Sequence, residues 1–256
     1  MKNSESGEFF VTLDIDWAPD YVIDHVAQQL IDVGVRATWF VTHASPAVDR
    51  LRKSGDQFEL GIHPNFLPGS THGTTPESVL SHVTSLVPDA VSLRTHSVVQ
   101  SGTLTRLIAE ETQIQIDSSY FLPHMPQLRP IPYECAGRVL CRLPFFWADD
   151  YELALAQSNW GVDRLAHVPG HKVMLFHPIH VYLNSFDSQG YDAAKRQVSH
   201  LANASPSLLN QYVQKGEGTG QFFGALLQLL TRQATSRRLC DLVDERATRQ
   251  PSGAAA

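Results

Sequence analysis

Residues 9–42, FFVTLDIDWAPDYVIDHVAQQLIDVGVRATWFVT, decide the fold. Phe9 to Ile15 has the alternation and β-branched content of a short buried strand, and Pro19 and Asp20 then make a natural helix start. Val22, Ile23, Val26, Leu30 and Ile31 recur at helical spacing, Gly34 closes the helix, and Ala37 to Thr42 is again a strand. This is a β-α-β unit, and the pattern continues downstream. Phe58–Ile62 reads as a strand, residues 64–76 as a Pro/Gly/Ser-rich loop and Glu77–Val87 as a helix. Leu93–Val98 reads as a strand, Thr103–Thr112 as a helix, Ile114–Ile116 as a strand end and Val173–Phe176 as a late buried strand. Alternating strands and helices imply a mostly parallel α/β sheet, open or closed as a barrel. Residues 123–148 carry five prolines and break the rhythm, which suggests extended or hairpin structure on one face. From Ala193 to Arg246 the chain is helical in character, and the stripe Phe222, Phe223, Leu226, Leu227, Leu229, Leu230 is expected to pack on its own domain. One domain over residues 1–247 and a disordered tail over 248–256 are expected.

With a net charge of -6, 18% charged residues and no long run of Lys or Arg to track a phosphate backbone, nucleic acid is not expected as a partner. No stretch reaches the length of a membrane span and the opening apolar run is too short for a signal peptide, so a cytoplasmic location is expected. Cys135, Cys141 and Cys240 have neither CxxC spacing nor an even count, and read as buried thiols, not disulfides or zinc ligands. Oligomeric state is not legible.

Functional groups of a parallel α/β fold gather where strands end. Asp14 and Asp16 end the first strand, where two-residue spacing is expected to place both side chains on the same side, and carboxylates so close repel unless a cation stands between them. His63 in ELGIHPNF, Arg94 and His96 in SLRTHS, Asp117 in IDSSYFLP and His177 in MLFHPIH each follow an apolar run. Singly these are ordinary loop residues. Together they place Asp, His, Arg, Asp and His on one rim. Phe145, Phe146 and Trp147 in LPFFWADD would serve either as core or as walls for a sugar ring, whereas Asp149 and Asp150 read as solvated loop acids that could also bind sugar hydroxyls.

From about Val11 to Asn184 the order LDIDW, LGIHPNF, LRTHS, IDSSYFLP, LFHP resembles the polysaccharide deacetylase family, and within it a subgroup linked to surface-polysaccharide or lipopolysaccharide synthesis. The resemblance implies a distorted (β/α) barrel with an extra C-terminal helical segment, and a carbohydrate N-deacetylase using a divalent metal ion, most simply Zn2+. It implies Asp14 as catalytic base, Arg94 orienting it, and His177 as general acid held by Asp117. It also implies Asp16 and His63 as metal ligands. The family's H-x-x-x-H is absent, because Leu67 stands four residues after His63. His72 is then the expected third ligand, with His96 as second candidate. The implied partner is an N-acetylated sugar or glycan precursor. Hydrolysis of another linear amide on this scaffold, or an inactive carbohydrate-binding relative, are the alternatives.

Overall fold

A computed structural model describes residues 7–155, 160–233 and 235–243; the expected tail at 248–256 lies outside these residues. β1 (Phe9–Asp14) is buried along its whole length. α1 (Asp20–Asp32) follows with Val22, Ile23, Val26, Ala27 and Leu30 on its buried face, and Gly34 at φ +66 turns the chain back. β2 (Ala37–Val41) lies parallel to β1, with Val11 opposite Ala37. α2 (Pro46–Arg52), not apparent from periodicity, is capped by the Ser45 hydroxyl accepting from Val48 N at 3.3 Å. β3 (Phe58–Ile62), α3 (Pro76–Leu86), β4 (Ser92–Leu93), α4 (Gly102–Glu111) and β5 (Ile116–Asp117) complete this half. The expected strand 93–98 stops at Leu93, because Arg94 leaves the sheet and His96–Val98 form a 3-10 turn with Ser97 and Val98 at positive φ.

The proline-rich stretch contains the hairpin of β6 (Ile131–Cys135) and β7 (Arg138–Arg142), turned at Ala136 (φ 52) and Gly137 (φ 71) as a type I′ turn requires. Pro132 is tolerated because β6 is an edge strand. β8 (Trp147–Ala148), α5 (Asp149–Ala154), α6 (Asp163–Ala166), β9 (Lys172–Phe176) and α7 (Pro178–Leu183) follow. Next come α8 (Gln189–Lys195), α9 (Pro206–Leu209) and α10 (Thr219–Gln233). The C-terminal region is less helical than expected: between α8 and α10 only α9 and short 3-10 turns occur.

The strand order is β6-β7-β5-β4-β3-β2-β1-β9-β8, parallel except for the β6-β7 hairpin. β7, next to one end, and β8, at the other, are one continuous run. Arg138–Ala148 begins on β5, with Cys141 opposite Ile116, passes Leu143 N to Asp117 O and Phe146 N to Val173 O, and ends on β9 with Trp147 opposite Met174. This run closes the sheet into the distorted barrel. Phe10, Phe40, Ile116, Leu143, Phe145, Val173 and Leu175 fill its interior, while Val11, Leu13, Trp39, Trp147 and Phe176 face the helices. Phe222 and Phe223 of α10 pack into that outer layer, Phe222 stacked on Trp147 at 4.6 Å. Period-two alternation therefore turns Phe10, Thr12 and Asp14 of β1 inward, with Asp14 uppermost. All three cysteines are thiols outside any disulfide; Cys141 is buried as expected, but Cys135 and Cys240 are only half-buried.

Candidate active site

Asp14 sits at the inward end of β1, 3% exposed, and its Oδ1 accepts from Arg94 Nη1 at 2.9 Å. Arg94, at the end of β4, is fixed on every side. Its Nη1 also donates to Thr12 Oγ1, Nε to the Ser118 carbonyl and Nη2 to Ser118 Oγ, each at 3.0 Å. Its guanidinium lies between the Phe40 and Phe145 rings at 4.6 and 4.8 Å. A carboxylate held this way on one oxygen presents the other, Oδ2, to the cleft.

Asp16 lies beyond the strand, so alternation does not place it. Asp16 and Trp17 both have positive φ, 37 and 54, and the Trp17 amide donates to Thr42 Oγ1 at 3.2 Å. That left-handed turn swings Asp16 over the barrel mouth. There its Oδ1 is 3.2 Å from His63 Nε2 and 3.2 Å from His96 Nδ1. Burial by itself would raise the Asp16 carboxyl, but hydrogen bonds to His63 and His96 and the nearby His177 hold it well below the usual carboxylate range. Asp16, His63 and His96 each bring one donor atom within 4.8 Å of the others, as a metal site requires.

His72 is not brought to this group. Its Nε2 donates to the Thr42 carbonyl at 2.8 Å and its Nδ1 accepts from Asn65 N at 3.1 Å, so both nitrogens are engaged by backbone. Its place is taken by His96, which the 3-10 turn after Arg94 carries back over Asp16.

His177 ends β9, and its Nε2 faces Asp16 Oδ2 at 3.6 Å. Asp117 does not hold it. Asp117 Oδ1 accepts from Ser119 N at 3.0 Å, its Oδ2 faces Arg142 Nε at 3.7 Å, and burial raises its pKa. Asp149, following β8, holds His177 instead: one oxygen accepts from the backbone N and the other pairs with Nδ1, both at 2.6 Å. Asp149 is fully buried, not solvated. Burial opposes the imidazolium, but the charge and hydrogen bond of Asp149, with Asp16 and Asp150, raise the His177 pKa well above its ordinary value. Asp149 obeys the same strand-end rule as the other groups, and the apolar run Leu143–Ala148 ahead of it was the available signal. Asp14, Asp16, His63, Arg94, His96 and His177 line a cleft of about 260 Å³, with Phe121, Phe145 and Tyr151 as its aromatic wall. Phe146 and Trp147 belong to the core.

Two buried histidines outside the donor trio set a stability prediction. Burial pushes His180 and His72 down to about 4, below the ordinary value of 6.5. Burial lowers His25, His43 and His171 in the same direction. Each is bound neutral in the fold, so the unfolded chain takes up the proton first. The stability this represents is complete above about pH 6.5 and is lost as pH falls from there toward about 4. The melting temperature is expected to drop across that window and the slope to flatten in His180→Asn; an unchanged slope would refute the assignment.

Residues 11–195 match the family described as WbmS-like polysaccharide deacetylase. The chain belongs to that family. Among solved structures, this WbmS-like deacetylase is similar to a Bordetella bronchiseptica protein described as a candidate polysaccharide deacetylase involved in O-antigen biosynthesis. The two share 30% identity over 89% of this chain and 93% of that one, with a TM-score of 0.75. A 4-alpha-glucanotransferase of Thermococcus litoralis shares the fold alone: 9% identity, TM-score 0.50, covering 93% of this chain and 38% of that one. A search of curated proteins finds no match. Among the described residues of this family member, no helix is long and apolar enough to cross a membrane.

Proposed function

We propose that this polysaccharide deacetylase removes the acetyl group from an N-acetylated sugar during synthesis of a bacterial surface polysaccharide, acting in the cytoplasm on a precursor. The observation that carries this reading is the pair of proton-handling groups flanking one donor trio. Asp14 Oδ2 lies 3.6 Å from His63 Nε2, and His177 Nε2 lies 3.6 Å from Asp16 Oδ2. The O-antigen description of the Bordetella relative supports the setting.

One carboxylate and two imidazoles suit zinc with open coordination, so Asp16, His63 and His96 would hold it. A divalent ion there supplies Lewis-acid activation of water and of the amide carbonyl. Asp14 takes the proton of the attacking water at Oδ2, the oxygen Arg94 leaves free. His177, charged through Asp149, gives its Nε2 proton to the departing amine. Phe40 and Phe145, packed on both faces of Arg94, keep water from the ion pair with Asp14.

The test is product analysis on zinc-loaded protein given N-acetylated saccharides. Acetate is expected without ammonia, and Asp14→Asn should lower its rate by about 10²–10⁴-fold. Ammonia without acetate would point to another linear amide. Failure to take up zinc, with no product, would leave a carbohydrate-binding relative.

A further inference from the structure

We propose that the saccharide this chain deacetylates carries an anionic group, a carboxylate or a phosphate, which is seated beside Lys195 in a second cleft; this rests on the deacetylase reading above. The second cleft, of about 690 Å³, adjoins the catalytic one and shares Asp16 and His96 with it as a common wall. An acetamide placed at the donor trio therefore has the second cleft as adjacent space for the rest of its molecule. The volume falls within the roughly 300–1,000 Å³ that ligand-sized pockets span.

The wall chemistry selects the occupant. Trp17 and Tyr191 supply aromatic surface, and Trp17 is fixed by ring contacts at 5.4 Å to both His72 and His96. Among the described residues, the only carboxylate lining this cleft is Asp16, which already belongs to the donor trio. Lys195 is exposed on the opposite sign of charge, its ammonium 5.4 Å from the Tyr191 ring centre and without a carboxylate partner among the described residues. His82 and His200, both exposed, stand on the same cleft. His72 is a neutral wall because both its nitrogens bind backbone, so Lys195 is the fixed positive charge. On a chain of net charge -6, the larger cleft beside the reaction centre thus presents an unpaired cation and no uncommitted acid. A neutral hydroxyl accepts a hydrogen bond from the Lys195 ammonium, whereas a carboxylate or phosphate oxygen gains the attraction of opposite charges as well.

The experiment compares kcat/KM of zinc-loaded protein on chitotetraose, a hyaluronan tetrasaccharide and UDP-N-acetylglucosamine, for wild type, Lys195→Gln and Lys195→Arg. These probes are neutral, carboxylate-bearing and phosphate-bearing, so the preferred one identifies the source of the anion. At least one anionic probe should exceed chitotetraose by about tenfold, the ratio falling about tenfold in Lys195→Gln and surviving in Lys195→Arg. Equal values on all three probes, or a ratio that Lys195→Gln leaves intact, would overturn the anion site while leaving the deacetylase reading standing. Acetate from none of them would count against the deacetylase reading, and calorimetric titration of the same probes then decides the site. Anionic binding weakened about tenfold in Lys195→Gln upholds it, and no preference for the anionic probes overturns it.

Discussion

Asp149→Asn is expected to lower kcat by about 10³–10⁴-fold, with KM and metal uptake within about threefold of wild type, as when an imidazole loses the carboxylate that fixes its tautomer and charge. Asp149 grips His177 twice, at the backbone N and at Nδ1, both at 2.6 Å. An amide of the same shape offers one oxygen for these two donors and no charge, so the imidazole is neither oriented nor kept protonated at Nε2. Asp117→Asn is the matched comparison. Its carboxyl binds Ser119 N and faces Arg142, away from His177, and should leave kcat within about threefold. Equal losses in the two variants, measured as acetate released per enzyme, would return the supporting role to Asp117.

The contrast between these two aspartates shows which parts of the molecule are legible in sequence. β1, α1 and β2 are, because hydrophobic period changes cleanly from two to 3.6 and back within residues 9–42. The strand-end rule reaches Asp14, His63, Arg94 and His177 for the same reason: each follows a run whose burial is written in its residues. Asp149 escapes it, because Pro144 and the prolines before it hide the fact that Arg138–Ala148 is the closing stretch of the barrel. That closure depends on which two strands the run meets, a long-range pairing no local pattern encodes. Asp16 and His96 depend on backbone at positive φ, in residues where side-chain chemistry gives little warning of it. Motif order points to His72, nine residues beyond His63 on a loop, and only the tertiary path of that loop shows its ring turned to the Thr42 carbonyl.

Metal uptake is expected to separate His96 from His72. Zinc affinity should fall by more than about 100-fold in His96→Ala, beyond what changes around a metal site's ligands cause, since a donor atom itself is removed. His72→Ala should retain about one ion per chain and lose stability instead. Truncating that ring leaves the Asn65 N–H and the Thr42 carbonyl without their partner, at a cost of about 1–3 kcal/mol and a melting-temperature fall of roughly 3–10 °C. The two effects are independent because the two rings meet different parts of the same turn. His96 touches the Asp16 carboxylate at 3.2 Å, whereas His72 binds the carbonyl of Thr42, the residue whose hydroxyl receives the Trp17 amide. Elemental analysis and thermal melts on the same preparations read both. An ion lost in His72→Ala and kept in His96→Ala would mean that the loop 64–76 rearranges to bring His72 to the metal, and that His96 instead orients Asp16 through the hydrogen bond at its Nδ1.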